Sequence, residues 1–201
     1  MKIEDLYLRL IKIKLIEQNR QDIFQKILDM KNQKTKPYFL WEYEFEEVFE
    51  KNKGFDIVIA NPPYIQLQKN KGKLANELVE QNFKTFERTG DIYCLFYEQG
   101  VNILRDNGIL TYITSNKWMR AGYGESLRGF LSSKSNPLKL IDFGGTKVFS
   151  SATVDVNILI LDKKSNQFKT NACIIDKTDF NNLDHFIRNN SVVNSYTNGD
   201  S

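Results

Sequence analysis

Residues 55–68 read FDIVIANPPYIQLQ. The opening six, Phe55 to Ala60, are a short apolar run with Ile57, Val58 and Ile59 at its centre. Such a run, rich in β-branched side chains, predicts a strand covered on both faces, as in a parallel sheet. It ends on Asn61-Pro62-Pro63-Tyr64. The two prolines fix their own φ angles and bias each preceding residue away from the helical region. The loop is therefore stiff, and its carbonyls are free of helical hydrogen bonding. Asn61 adds a side-chain acceptor and donors, and Tyr64 adds a flat face with a polar tip. Rigid acceptors beside an aromatic plate suit a planar group bearing an amine. A strand-ending turn with a packed tyrosine is the plainer reading. In an open α/β sheet the carboxyl ends of the strands form the binding crevice, and this loop sits at such an end.

Working outward, residues 66–90 are polar and charged and predict a mobile or partner-ordered segment. DIYCLFYEQGVNILRD (91–106) reads as a well-buried helix, with Asp91 as N-cap and Asn107-Gly108 as its stop. A strand follows at 108–116, a short helix at 124–133 with Leu127, Phe130 and Leu131 inward, and strands at 138–145 and 154–164. The short span between the last two favours a hairpin. This order belongs to an α/β sheet with an antiparallel edge. Upstream, Leu6, Leu10, Ile13, Ile16, Ile23 and Ile27 give residues 2–31 helical spacing. Pro37 breaks that pattern, and LWEYEFEEVFEKNKG (40–54) is ambiguous. Residues 181–201 show no clear pattern.

Composition narrows the partners little. The chain has 201 residues and a net charge of +3 from 28 basic and 25 acidic side chains, so charge neither announces nor excludes a nucleic-acid partner. Cys94 and Cys173 lie far apart in apolar runs, which predicts buried thiols in a reducing cytosol. The single His185 cannot complete a zinc site with them. The N-terminus carries charges throughout, so it predicts neither a signal peptide nor a membrane span.

Asn-Pro-Pro-Tyr after FDIVIA resembles the catalytic motif of DNA methyltransferases that modify the exocyclic amine of adenine. The closest likeness is to the TaqI-like group, which includes type IIG methylases fused to restriction nucleases. FLWEYEFEEVF (39–49) is similar to that group's F-x-W…F-x-x-V-F lead-in. Residues 90–131 resemble its next helix, strand and helix. LIDFGGTKVFSSATVDVNILIL (140–161) resembles its final strand, aromatic loop and hairpin. The resemblance implies an incomplete Rossmann-like class I methyltransferase sheet with an antiparallel C-terminal hairpin. It divides the chain into a helical extension (1–38), the central and C-terminal part of a catalytic domain (39–164), and a tail (165–201) leading toward a target-recognition region.

The resemblance also implies roles. The Asn61 side-chain oxygen and the Pro62 carbonyl accept hydrogen bonds from the amine of an extruded adenine, and Pro63 stiffens the motif. Tyr64 stacks on the base, Phe149 touches its other part, and Phe96 packs against the adenine of S-adenosylmethionine. Phe96 reads equally well as a core residue. The implied partners are double-stranded DNA and either a separate N-terminal half or a specificity subunit, in a prokaryotic cytoplasm and away from membranes. The group's Gly-rich cofactor turn and ribose-binding acid should precede Asn61, yet the first glycine of the chain is Gly54. The expectation is an N-terminally truncated fragment that binds the cofactor poorly alone. Two rival readings stand beside it. One is a DNA-binding or assembly module without catalysis. The other is a metal-dependent nuclease core, since Asp142 and Asp162-Lys163-Lys164 loosely resemble a D…D-x-K site. Gly122-Tyr123-Gly124 looks like half of a nucleotide loop but lacks the third glycine.

Overall fold

The computed structural model describes residues 39, 41–146, 148–149, 154–175 and 182–195, together with the isolated positions 12, 13, 16 and 25. The chain divides into two units, residues 1–51 and 52–201. In the first, positions 12, 13, 16 and 25 are helical, and the rest of the helix expected over 2–31 lies outside the described residues. The ambiguous acidic-aromatic stretch is helical, as α1 (Trp41–Glu44) and α2 (Glu46–Asn52). Trp41 and Phe45, four residues apart, stack with centroids 6.0 Å apart, and Phe39 meets Trp41 edge-on at 4.8 Å.

The second unit is built on a six-stranded sheet. Its strands are β1 (Phe55–Ala60), β2 (Leu104–Ser115), β3 (Asn136–Asp142), β4 (Val156–Asp162), β5 (Lys169–Ile174) and β6 (Val192–Ser195), in the order β1-β2-β4-β3-β5-β6. β1 runs parallel to β2 and β3 parallel to β5, whereas β4 is antiparallel to both its neighbours. The expected hairpin of β3 and β4 is present. The helices are α3 (Lys69–Leu78), α4 (Tyr93–Ile103), α5 (Glu125–Lys134) and α6 (Leu183–Asn190).

One face of the sheet carries the main core. Tyr93, Leu95, Tyr97 and Val101 of α4 and Leu127, Phe130 and Leu131 of α5 pack on Leu110, Tyr112, Leu159 and Leu161. Close approach of α4 to β2 depends on Gly100, where a Cβ would overlap the Tyr112 hydroxyl. On the other face α6 brings Ile187 onto Ile141, Phe143, Val156 and Cys173. Cys94 and Cys173 are both buried free thiols, and burial pushes the Cys94 thiol up to about 12.

Five expectations change. β1 is an edge strand, and only its Val58 and Ala60 side meets the core. Ile57 and Ile59, on the opposite side, are 64% and 75% exposed, because the described part of that face is covered around β3 and β5 instead. Asp91 does not cap α4. The helix begins at Tyr93, and the Asp91 carboxylate accepts a hydrogen bond from the Tyr123 hydroxyl at 3.1 Å. Asn107-Gly108 does not stop a helix, since α4 has already ended at Ile103. The pair lies within β2, with Asn107 at φ 64°, where the pairing to β1 slips from Phe55↔Leu104 to Ile57↔Ile109. Residues 66–90 have defined structure: α3, interrupted by left-handed backbone at Asn70, Lys71 and Gly72, is followed by a 3₁₀ turn (Val79–Gln81) and a buried anchor at Thr85. There the buried Glu98 carboxylate accepts the Thr85 amide at 2.9 Å. Finally, the stretch without a clear pattern supplies α6, capped by the Asn182 side chain, and β6, which pairs with β5.

Candidate active site at the carboxyl end of the first strand

Because β1 and β2 are parallel neighbours, with Ala60 opposite Tyr112, their chains leave the sheet at the same end. β1 leaves into residues 61–65, which have no regular structure, and the chain is then fastened by a bridge between Gln66 and Asp91. Pro62 is buried and Asn61 and Pro63 are exposed. The inward proline thus anchors the loop while the Asn61 amide faces out. Among the described residues no donor reaches the Pro62 carbonyl.

Tyr64 ties this loop to its surroundings. Its hydroxyl donates to Asn61 Oδ1 at 2.9 Å and lies 3.4 Å from the Ile113 carbonyl. Its ring stands edge-on to Tyr93 at 6.3 Å. The Tyr93 hydroxyl is 2.8 Å from that of Tyr123, which in turn donates to Asp91. Burial raises the Tyr64 pKa above the ordinary phenol range, so the proton shared with Asn61 stays in place. Burial also raises Tyr93, and it pushes Tyr123 up to about 12.

Phe149 is half-buried against the cluster of Ile141, Phe143 and Val156, and Tyr64 packs at the rim of the same cluster. The two aromatics expected to share a base therefore border one apolar patch. Its neighbours 147 and 150–153 lie outside the described residues. Phe96 is not a core residue. It is 39% exposed on α4, between the buried Leu95 and Tyr97, and belongs to neither apolar cluster.

The nuclease reading fails on strand direction. Asp142 lies opposite Asn157, and Asp162 lies opposite Asn136, at the far end of the same antiparallel pair. At about 3.3 Å per residue the two carboxylates stand roughly 20 Å apart. Asp162 pairs with Lys164 at 3.0 Å and accepts from Asn136. Among the described residues no group of acidic, His or Cys side chains could hold a metal. Asp142 instead fastens the ends of β2 and β3, accepting from Asn116 Nδ2 at 2.9 Å and from the Gly144 amide at 3.0 Å. Sequence reasoning gave Asn116 no role; its place directly after β2 is the signal that marks it. Gly122-Tyr123-Gly124 forms a 3₁₀ turn, and Gly124 is there for packing, since a Cβ would overlap the Trp118 carbonyl.

Comparison with known proteins bears on the family and the fold. A family model described as Eco57I restriction-modification methylase matches residues 2–149. The type II restriction enzyme and methyltransferase RM.Eco57I of Escherichia coli is 33% identical over 116 residues, covering 57% of this chain and 12% of that protein. The type II methyltransferase M.BanIII of Aneurinibacillus aneurinilyticus is 34% identical over 112 residues, covering 55% of this chain and 19% of that protein. The chain thus spans a small part of each of these relatives. Among solved structures, the methyltransferase subunit of a type I restriction-modification system from Streptococcus thermophilus has a TM-score of 0.53 at 16% identity, covering 69% of this chain and 31% of that one. That likeness shows the fold, a Rossmann-like methyltransferase sheet.

Proposed function

From the chain's membership of the Eco57I restriction-modification methylase family, we propose that it carries the amine-binding end of a DNA methyltransferase acting on the exocyclic amine of adenine. The observation that carries this reading is the oriented Asn61 carboxamide: outward-facing at the end of β1, with its Oδ1 held by the Tyr64 hydroxyl at 2.9 Å.

The amine of adenine is a poor nucleophile because its lone pair is delocalised into the ring. Two acceptors that bind its hydrogens favour a pyramidal nitrogen with a freer lone pair. Asn61 Oδ1 and the Pro62 carbonyl are such acceptors, fixed dipoles aimed at charge that develops during the reaction. A carbonyl oxygen has two lone pairs, so Asn61 Oδ1 can keep Tyr64 and accept the amine together. The base must leave the duplex first, and Tyr64 and Phe149 line the patch that receives it. S-adenosylmethionine, when bound, supplies the methyl group. Phe96, an exposed ring on an otherwise buried helix, fits the cofactor's adenine. Gly54 has a packing role, since a Cβ there would run into the Ile103–Arg105 backbone.

The test is Asn61→Ala in the reconstituted, full-length, cofactor-competent protein, in a single-turnover assay with labelled S-adenosylmethionine and unmethylated DNA. Losing one acceptor that acts mainly in the transition state should slow transfer about a hundredfold or more, with DNA affinity kept. A near-parental rate, or label found on cytosine, overturns the reading. DNA binding with no transfer by the cofactor-competent parent favours the module without catalysis.

A further inference from the structure

We propose that Lys117 and Arg120 clamp backbone phosphates of the DNA strand bearing the target base. The proposal rests on the DNA-directed function argued above.

The two cations stand on a 3₁₀ turn, Asn116–Met119, and its exit, directly after β2. β2 leaves the sheet at the same end as β1, so the turn rises beside the Asn61 loop. The inward groups of the turn are fixed one by one. Trp118 is buried, and its Nε1 donates to Asn157 Oδ1 at 3.2 Å. Arg128 donates to the carbonyls of Trp118 and Ala121 at 2.7 and 3.2 Å. The Lys117 amide donates to Ser115 Oγ, the Asn116 amide to the Asp155 carbonyl, and the Asn116 side chain to Asp142. A turn held this firmly orients what it carries outward.

What it carries outward is unpaired. Lys117 and Arg120 are both exposed and line an open depression of about 370 Å³ with Asn116 and Ala121. Among the described residues, the other arginine side chains all have partners: Arg88 bonds Asn76, Arg105 bonds Asp56, Arg128 bonds carbonyls and Arg188 bonds Asp184. Arg120 has none. Nor does Lys117, a trait it shares with other surface lysines such as Lys134; what sets it apart is its place beside Arg120. Asp155, the nearby exposed acid, gives the turn its carbonyl and forms an ion pair with neither cation.

An arginine fork beside a lysine point charge suits phosphate oxygens. Phosphate contacts set the register of a duplex on a protein without reading its sequence. Extruding one nucleotide needs its backbone held near the receiving pocket, and these cations stand at that end of the sheet.

The experiment measures affinity for a fluorescein-labelled duplex of arbitrary sequence over a range of salt concentration. Both cations are exposed, so Lys117→Gln with Arg120→Gln should fold as the parent does. Each phosphate contact contributes about 0.9 to the slope of log affinity against log salt, so the double variant should lose about 1.8. Affinity at low salt should fall about tenfold or more. Lys134→Gln with Lys164→Gln removes equal charge at the pocket lined by Asp106, Ser133 and Gln167, at the opposite end of the sheet, and should leave the slope unchanged. An unchanged slope in the first pair, an equal loss in the second, or no DNA binding by the parent overturns the clamp. The two readings fail separately. Asn61→Ala that loses transfer while the slope resists Lys117→Gln with Arg120→Gln leaves the amine site standing without the clamp. A slope that falls as expected, when the full-length, cofactor-competent protein transfers no methyl group, keeps the clamp and removes the catalysis.

Discussion

The hydroxyl of Tyr64 changes what its substitution should do. Its ring alone would make Tyr64→Phe nearly silent, but the hydroxyl also orients Asn61 Oδ1 at 2.9 Å. Tyr64→Phe should therefore slow transfer several-fold, in line with one lost hydrogen bond of about 0.5–1.5 kcal/mol. Tyr64→Ala should lose a further stacked base, about 1–3 kcal/mol. Single-turnover rates, with emission from a fluorescent adenine analogue at the target, separate the two effects, and equal losses in both variants would remove the aromatic plate from the mechanism. The loop after β1 was legible in the sequence because prolines and a β-branched run leave few conformations open. The exposure of Phe96 was not, because DIYCLFYEQG is apolar around most of its helix and periodicity offers no outward face. The bond between Tyr64 and Asn61 was equally hidden, since it depends on side-chain orientation within a loop.

Individual elements differ in how far their faces are covered, and stability should follow. Leu127 on α5 is fully buried. Leu127→Ala should cost about 2–5 kcal/mol, the range for emptying a packed leucine site. Ile59 on β1 is 75% exposed, so Ile59→Thr should change stability by less than about 0.5 kcal/mol. Urea midpoints for the two variants check the pair, and a core-sized loss for Ile59→Thr would mean that the second face of β1 is covered after all. α5 was legible from the spacing of Leu127, Phe130 and Leu131. β1 was legible as a strand but not as an edge, because burial on both sides and burial on one look alike in a six-residue apolar run. Strand direction was equally invisible. Asp142 and Asp162 read in the sequence as candidates for one metal, but the antiparallel pairing of β3 and β4 puts them at opposite ends.

At the scale of the whole molecule, the described core is rich in phenols and holds two thiols. Burial raises Tyr93 and Tyr97 and pushes Tyr112, Tyr123 and Cys94 up to about 12, from ordinary values of 10.0 for tyrosine and 9.0 for cysteine. The unfolded chain therefore releases these protons first as pH rises. Stability from these groups is complete below the ordinary cysteine range and is lost progressively as pH climbs toward about 12. Urea midpoints should hold between about pH 7 and 8 and fall steeply above about pH 9, with a shallower fall in Tyr97→Phe; a flat alkaline limb would contradict the buried-phenol core. The sheet's order is legible only in outline from the sequence, because β4 enters between β2 and β3 although it follows both in the chain. That insertion has a consequence for synthesis. While the chain emerges from a ribosome, β1 and β2 can pair early, but β2 and β3 each keep an open edge until Asp162 has been made. The central ladder closes only after the whole of α5 has been made, so a product stalled or clipped before β4 would present the edges of β2 and β3 to its neighbours.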